Sequence, residues 1–223
     1  MFPDLKDYNS DDIRQIILYS WHFDLFAIKE IIEMTKNNID VSIKSLIKVA
    51  QDNIEDVFVY DEAMKKVQEY HNIEPITYQS YLLSLYSVVE SSLDTYCKVC
   101  ENNMNLKIGL EDLKDKGITR AINYLEKVVE VDNIKSDNRW TKMKLINELR
   151  NDFIHRSGYI GGSKKINKYK LELGVEVVDG KIYLLYEDII NIYSYIDEFI
   201  KFVFSRDFTN SSKQLKIQTA SVD

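Results

Sequence analysis

The stretch ELRNDFIHRSG, residues 148–158, places a guanidinium (Arg150), a carboxamide (Asn151) and an imidazole (His155) near the C-terminal end of one predicted helix. Imidazole changes charge near neutral pH and so moves protons there. A guanidinium carries a fixed positive charge and grips phosphate oxygens two at a time. Together they suit reactions at a phosphodiester, where a proton moves and negative charge grows on the phosphorus oxygens. The competing reading is a solvated helix end in structural or binding use. Spacing alone does not separate the two.

At 3.6 residues per turn, Leu145, Ile146, Leu149 and Phe153 fall within about 100° of arc and define a core stripe. Arg150 and His155 bound the opposite arc, with Asn147, Asn151 and Ile154 between them. Asn151 and His155 are four residues apart and share a face, and the long Arg150 stem can swing toward them. Ile154 is an apolar residue amid polar ones, which suits a buried contact. Two copies packed through this arc would bring two Arg and two His around one cleft. A homodimer with a composite site is therefore expected.

The rest of the chain must position this end. Apolar spacing predicts a first helix over residues 11–36, capped by Asp11 or Ser10, and a second over 41–70 ending at His71-Asn72. Pro75 marks the predicted internal boundary, dividing a helical extension (1–75) from a second region (76–205). A third helix starts near Thr77, with Tyr78, Leu82, Leu85, Val89, Leu93, Tyr96 and Cys100 as its apolar stripe. A polar connection over 101–117 leads to a fourth helix, ITRAINYLEKVVEV, and a fifth over 137–157. Gly158 suits the left-handed stop of that fifth helix. Beyond the GGSKK loop, KYKLELGVEVV and KIYLLY alternate around Asp179-Gly180, which predicts a β-hairpin near residues 168–186 with a type I′ turn. A final helix begins at Glu187-Asp188, and residues 206–223 read as a flexible tail. The expected fold is mainly α: a helical bundle with one inserted β-hairpin.

Composition agrees. At 223 residues, 45% hydrophobic and 29% charged, the chain has the make-up of a globular protein with one sizeable core. Seven Gly and two Pro favour long helices over a turn-rich β sandwich. No apolar run is long enough for a membrane span, and the start MFPDLKDYNSDD is unlike a signal peptide. Two cysteines do not make a disulfide scaffold, and a cytoplasmic location is expected. The net charge of −7 argues against a general nucleic-acid coat. Residues 135–170, however, carry ten Lys/Arg against three Asp/Glu, a local +7 that leaves −14 on the remainder. The motif lies inside this segment. Such asymmetry fits a phosphate-facing patch, with accidental clustering of surface lysines as the plain alternative. Arg156, Tyr159, Lys164 and Lys165 are its candidate substrate contacts, with Lys168 beside them.

Other motifs carry less. Cys97 and Cys100 form CKVC within a helix, but no second Cys/His pair has zinc-ligand spacing, so they read as buried small residues. SGYIGGSKK lacks the Gly-Lys-Ser/Thr ending of a phosphate loop and follows a helix rather than a strand. Asp179-Gly180-Lys181 is explained by a hairpin turn without a nuclease metal. His22 reads as a packed helix residue, His71 as a helix-end cation, and Asp52, Glu55, Asp56, Asp61 and Glu62 as a solvated face. No metal or other cofactor is expected.

LRNDFIHRSG resembles the R-x(4–6)-H motif of the HEPN family (higher eukaryotes and prokaryotes nucleotide-binding), in which Asn often follows the Arg and glycine the His. YLLSLYSVVESSLDTYCKVC resembles the opening helix of many members, with Glu90 where an acidic residue is common. GITRAINYLEKV, Trp140 before the motif helix and the join DGKIYLLYEDI extend the likeness over Thr77–Ser205. The first 75 residues resemble no family. The resemblance implies a helical bundle that dimerises to pair two motifs. Many members are metal-independent endoribonucleases of toxin–antitoxin or anti-phage systems, and others are catalytically silent scaffolds that bind a nucleotide or partner protein. Carried over, His155 is the general acid/base, Arg150 steadies the phosphate, Asn151 orients, and Glu90 is a lesser catalytic candidate. The implied partners are RNA, a second copy of the chain, and an antitoxin or defence-system protein. Some toxin members carry Tyr two residues after the His. Here Ser157 stands there and Tyr159 comes later, which weakens any inference that a nucleotidyltransferase antitoxin modifies the site.

Overall fold

A computed structural model describes residues 10–206, with side chains from residue 15 onward. Among them are six α-helices and one two-stranded sheet: α1 (Ser10–Asp52), α2 (Val57–Asn103), α3 (Gly117–Lys127), α4 (Asn138–Arg156), α5 (Ser163–Leu173), β1 (Glu176–Val178), β2 (Lys181–Tyr183) and α6 (Tyr186–Phe204). The mainly α architecture with an inserted antiparallel hairpin is as expected. The tail beyond Arg206, and any capping by Ser10 or Asp11 side chains, lie outside the described residues.

Helix lengths differ from expectation at the N-terminal half. No break occurs between residues 36 and 41, and no helix ends at His71-Asn72. Two helices run where three were expected, with Pro75 inside the second. Cross-links between them account for this. Thr35 Oγ1 and the Tyr81 hydroxyl share a hydrogen bond of 2.7 Å. Lys36 pairs with Asp40 one turn on (2.9 Å) and reaches Glu74 on α2 (3.6 Å), which in turn accepts from the Tyr78 hydroxyl (3.1 Å). Both suspected breakpoints are thus occupied by polar contacts that need helical spacing. Proline forfeits one backbone hydrogen bond in a helix interior, and buried Tyr78, Leu82 and Leu85 hold the helix together beyond it. The turn falls instead at residues 53–56. There Asn53 N–H donates to the Ala50 carbonyl (3.3 Å), and Asp56 Oδ1 caps α2 by accepting from Val59 N–H (3.2 Å).

The chain forms two compact units, one of Met1–Asp24, Tyr86–Lys144 and Tyr195–Asp223, the other of Leu25–Leu85 and Leu145–Ser194. Helices α1, α2, α4 and α6 each pass from one unit into the other. In the first unit Tyr96 stacks on Phe204 (4.5 Å between ring centres), and the Trp140 and Phe199 ring centres are 6.1 Å apart. Cys97 and Cys100 are buried free thiols, and burial pushes the Cys97 thiol well above its ordinary value. Helix α3 stops at Lys127, short of the expected Val131, because Glu130 turns left-handed (φ 63°) and Val131 N–H folds back to the Leu125 carbonyl (2.8 Å). Asp137 starts α4 by accepting from Arg139 N–H (2.9 Å) and from its guanidinium (2.8 and 3.0 Å). The Arg139 hydrogen bonds hold the Asp137 carboxyl below the usual carboxylate range.

In the second unit the expected hairpin is shorter than residues 168–186. KYKLEL is helical, forming the end of α5, and the strands are three residues each. Tyr169 and Leu173 are buried one turn apart while Leu171 between them is 84% exposed, which is a helical and not a strand alternation. Gly174 ends α5 in the left-handed conformation (φ 74°). The Asp179-Gly180 turn has positive φ at both residues (50° and 74°), as a type I′ turn requires. The hairpin then fastens the segment after α4: Ile182 N–H donates to the Gly158 carbonyl (3.0 Å) and Ile160 N–H to the Gly180 carbonyl (2.8 Å).

Helix α4 closes with Gly158 N–H donating to the Asp152 carbonyl (3.1 Å), a six-residue closure through left-handed Ser157 (φ 51°) and Gly158 (φ 82°). A β-carbon on Gly158 would lie 2.9 Å from the Phe153 ring. Gly158→Ala should therefore lower unfolding free energy by about 2 kcal/mol. Gly161, with nothing within 4 Å of where its β-carbon would stand, should tolerate Ala within about 0.5 kcal/mol. Denaturant titration of the two variants checks both; equal stabilities would refute the steric argument.

Candidate functional site

Helix α4 buries Leu145, Ile146, Leu149 and Phe153, the stripe expected from sequence. The opposite arc is turned away from that core. Arg150, Asn151 and Asn147 are half-buried, His155 is exposed, and Ile154 is 45% exposed. Arg150 Nη1 donates to Asn151 Oδ1 (2.9 Å), and Asn151 Nδ2 donates to Asn147 Oδ1 (3.4 Å). Asn151 therefore orients the guanidinium with its oxygen while its own amide is held by Asn147. His155 and Arg156 occupy the last turn of α4, where cations meet the negative end of the helix dipole.

The other candidates have separate surroundings within their own units. Glu90 lies on α2 in the first unit, its Oε1 2.8 Å from where a Gly117 β-carbon would stand. Arg156, Tyr159 and Lys164 are exposed. Tyr159 bridges to Lys181 of β2, whose ammonium lies 5.6 Å from the Tyr159 ring centre and 5.4 Å from that of Tyr183. Lys168 makes a surface pair with Glu148 (3.7 Å). Lys165 points inward, with Nζ 2.6 Å from Asp152 Oδ2.

The basic segment is accordingly less uniform than its charge count. Lys135 pairs with Glu126 (3.0 Å), Arg139 with Asp137, and Lys142 lies over the Tyr195 ring (3.7 Å), all in the first unit. In the second unit Arg156, Lys164 and Lys170 are exposed.

Sequence reasoning passed over Asp152. It is 4% exposed, accepts from the Tyr169 hydroxyl (2.8 Å) and holds Lys165. Burial, and then the hydrogen bond to Asp152, push the Tyr169 phenol far above its ordinary value, so it remains a donor. The signal was available: on the α4 wheel Asp152 falls about 20° from Leu145, at the edge of the core stripe.

Among the described residues no three His, Cys, Asp or Glu side chains are grouped to hold a metal ion, and no helix is long and apolar enough to cross a membrane. No family model, curated protein or solved structure matches the chain.

The two adjacent lysines should separate by experiment. Lys165→Met leaves Asp152 buried with only Tyr169 as a side-chain donor and should destabilise the fold by about 1–3 kcal/mol, discounted for the partial exposure of the ammonium. Lys164→Met should change stability by less than about 0.5 kcal/mol. Similar losses in thermal or denaturant unfolding would show that the Asp152 pair contributes little.

Proposed function

We propose that this chain is a HEPN-type endoribonuclease of a bacterial toxin or anti-phage defence system, working as a homodimer with a composite site. The observation that carries the reading is the arrangement at the end of α4. Arg150, Asn151 and His155 share the arc facing away from the core, and Asn151 is hydrogen-bonded to the guanidinium. These are the motif residues that the family resemblance assigns to catalysis, with Glu90 as its lesser candidate. Half-exposed Ile154 in the same arc favours a second copy packed there. In the reaction, the RNA 2′-oxygen attacks the adjacent phosphorus, the bond to the 5′-oxygen breaks, and a 2′,3′-cyclic phosphate forms. His155 moves the proton and Arg150 offsets charge on the phosphorane oxygens. Because the nucleophile is already tethered beside its target, holding it in line supplies much of the rate.

Cleavage of single-stranded RNA should proceed in EDTA and leave a 2′,3′-cyclic or 3′-phosphate end. His155→Ala and Arg150→Ala should each slow it by about a hundredfold or more. DNA, and RNA carrying 2′-O-methyl at the cut site, should be inert. A strict need for magnesium, cleavage of DNA, or full activity of His155→Ala would each contradict this mechanism. If a folded dimer cuts no RNA, the same arc is better read as the binding face of a catalytically silent scaffold.

Dimerisation is tested separately. Sedimentation of the wild type should show a dimer, which Ile154→Glu weakens without unfolding the chain, since Ile154 lies outside the core stripe. A wild-type monomer at high protein concentration would remove the composite site.

A further inference from the structure

Asp152 has no part in the chemistry proposed above, yet it is a buried acidic residue, 4% exposed. A carboxylate at a core position is unfavourable unless charged or strong donors meet it. Both side-chain donors come from α5: the Tyr169 hydroxyl at 2.8 Å and the Lys165 ammonium at 2.6 Å. Tyr169 is fully buried, and Lys165, Tyr169 and Leu173 follow one another at one-turn spacing on the same face of α5. Lys164 and Lys168 are also one turn apart, on a different and exposed face. Fixing the first face fixes where the second points. Apolar contacts of Tyr169 and Leu173 set the rotation of α5 only to within the width of their stripe, because hydrophobic burial is non-directional. Two hydrogen-bonding donors aimed at one carboxylate fix it more narrowly.

We infer that Asp152 is a positioning residue: by fastening α5 to the last turns of α4, it presents Lys164 and Lys168 beside the Arg150–His155 end of the helix as a track for the backbone of single-stranded RNA. The inference rests on the endoribonuclease reading. The surface pair Lys168–Glu148 (3.7 Å) agrees with α5 lying along α4 at this point, though an exposed pair adds little of its own. Asp152 touches no substrate. It acts through α5.

The experiment compares Asp152→Asn with the milder Tyr169→Phe, which keeps the carboxylate and Lys165, in a His155→Ala background that does not consume RNA. Hydrogen exchange is read along the chain, and binding of a fluorescent single-stranded RNA oligonucleotide is read by anisotropy across a salt series. In Asp152→Asn the α5 amides should exchange at least about tenfold faster, with α6 amides unchanged. RNA affinity should fall by about tenfold with a flatter salt dependence, as in Lys164→Gln/Lys168→Gln. Tyr169→Phe should fall between wild type and Asp152→Asn in both measurements. With His155 restored, Asp152→Asn should raise KM while kcat stays within about threefold, the mark of lost binding rather than lost chemistry. Unchanged α5 exchange, or loosened α5 with unchanged RNA affinity, overturns the positioning role alone. A folded His155→Ala protein that binds no RNA, together with a wild type that cuts none, overturns the endoribonuclease reading and this inference with it.

Discussion

The charge buried at Asp152 constrains nearly everything that follows it in its unit. A carboxylate 4% exposed on the core side of α4 must be met by donors, and no neighbour on the apolar stripe of α4 has one to offer. The donors arrive from α5, so the chain has to reverse immediately after the motif. It does so through left-handed Ser157 and Gly158 and enters α5 at Gly162, which is also at positive φ. Helix α5 must then end in time for the hairpin to return and hold the reversal in place, and left-handed Gly174 ends it. The bonds from Ile182 to Gly158 and from Ile160 to Gly180 close the loop on itself. Three of the chain's seven glycines are thus accounted for by one buried group and the path required to reach it.

Much of this was legible in the sequence where a local rule and the tertiary structure agree. The α4 boundaries, its core stripe, the Asp-Gly turn and the start of α6 near Glu187-Asp188 all follow from short-range signals that nothing nearby opposes. Asp188 illustrates the agreement, since its carboxylate accepts from Leu185 N–H (2.9 Å) at the entrance to α6. The failures have a common cause. At Lys36–Asp40 and at Pro75 the local signal is a weak helix, and contacts between α1 and α2 decide the outcome. KYKLEL fits both a strand and a helix period over so short a run. Only the burial of Tyr169 against Asp152, a contact across seventeen residues, settles which applies.

Charge counting shows a related limit. The +7 balance of residues 135–170 is a correct sum, but much of it is engaged in pairs or laid over aromatic rings. What a ligand would meet is set by side-chain direction, which a charge total does not contain. Lys164 and Lys165 are neighbours of identical chemistry, one at the surface and one turned inward to a buried carboxylate.

The threading of the chain through its two compact units bears on how it is made. Each unit draws on stretches that are far apart in the order of synthesis, and the second unit is not complete until Ser194, nor the first until the segment from Tyr195 has followed. A ribosome moving at roughly 5–20 residues per second therefore leaves α1 and α2 with only each other for several seconds before the rest of their units exists. The Arg150–His155 end is translated well before the hairpin and α6 that complete its unit. A nascent chain or truncated product ending between them would carry the motif residues without the support that orients them. Maturation of this end is thereby deferred until the hairpin and α6 have been made, by the order of the elements alone.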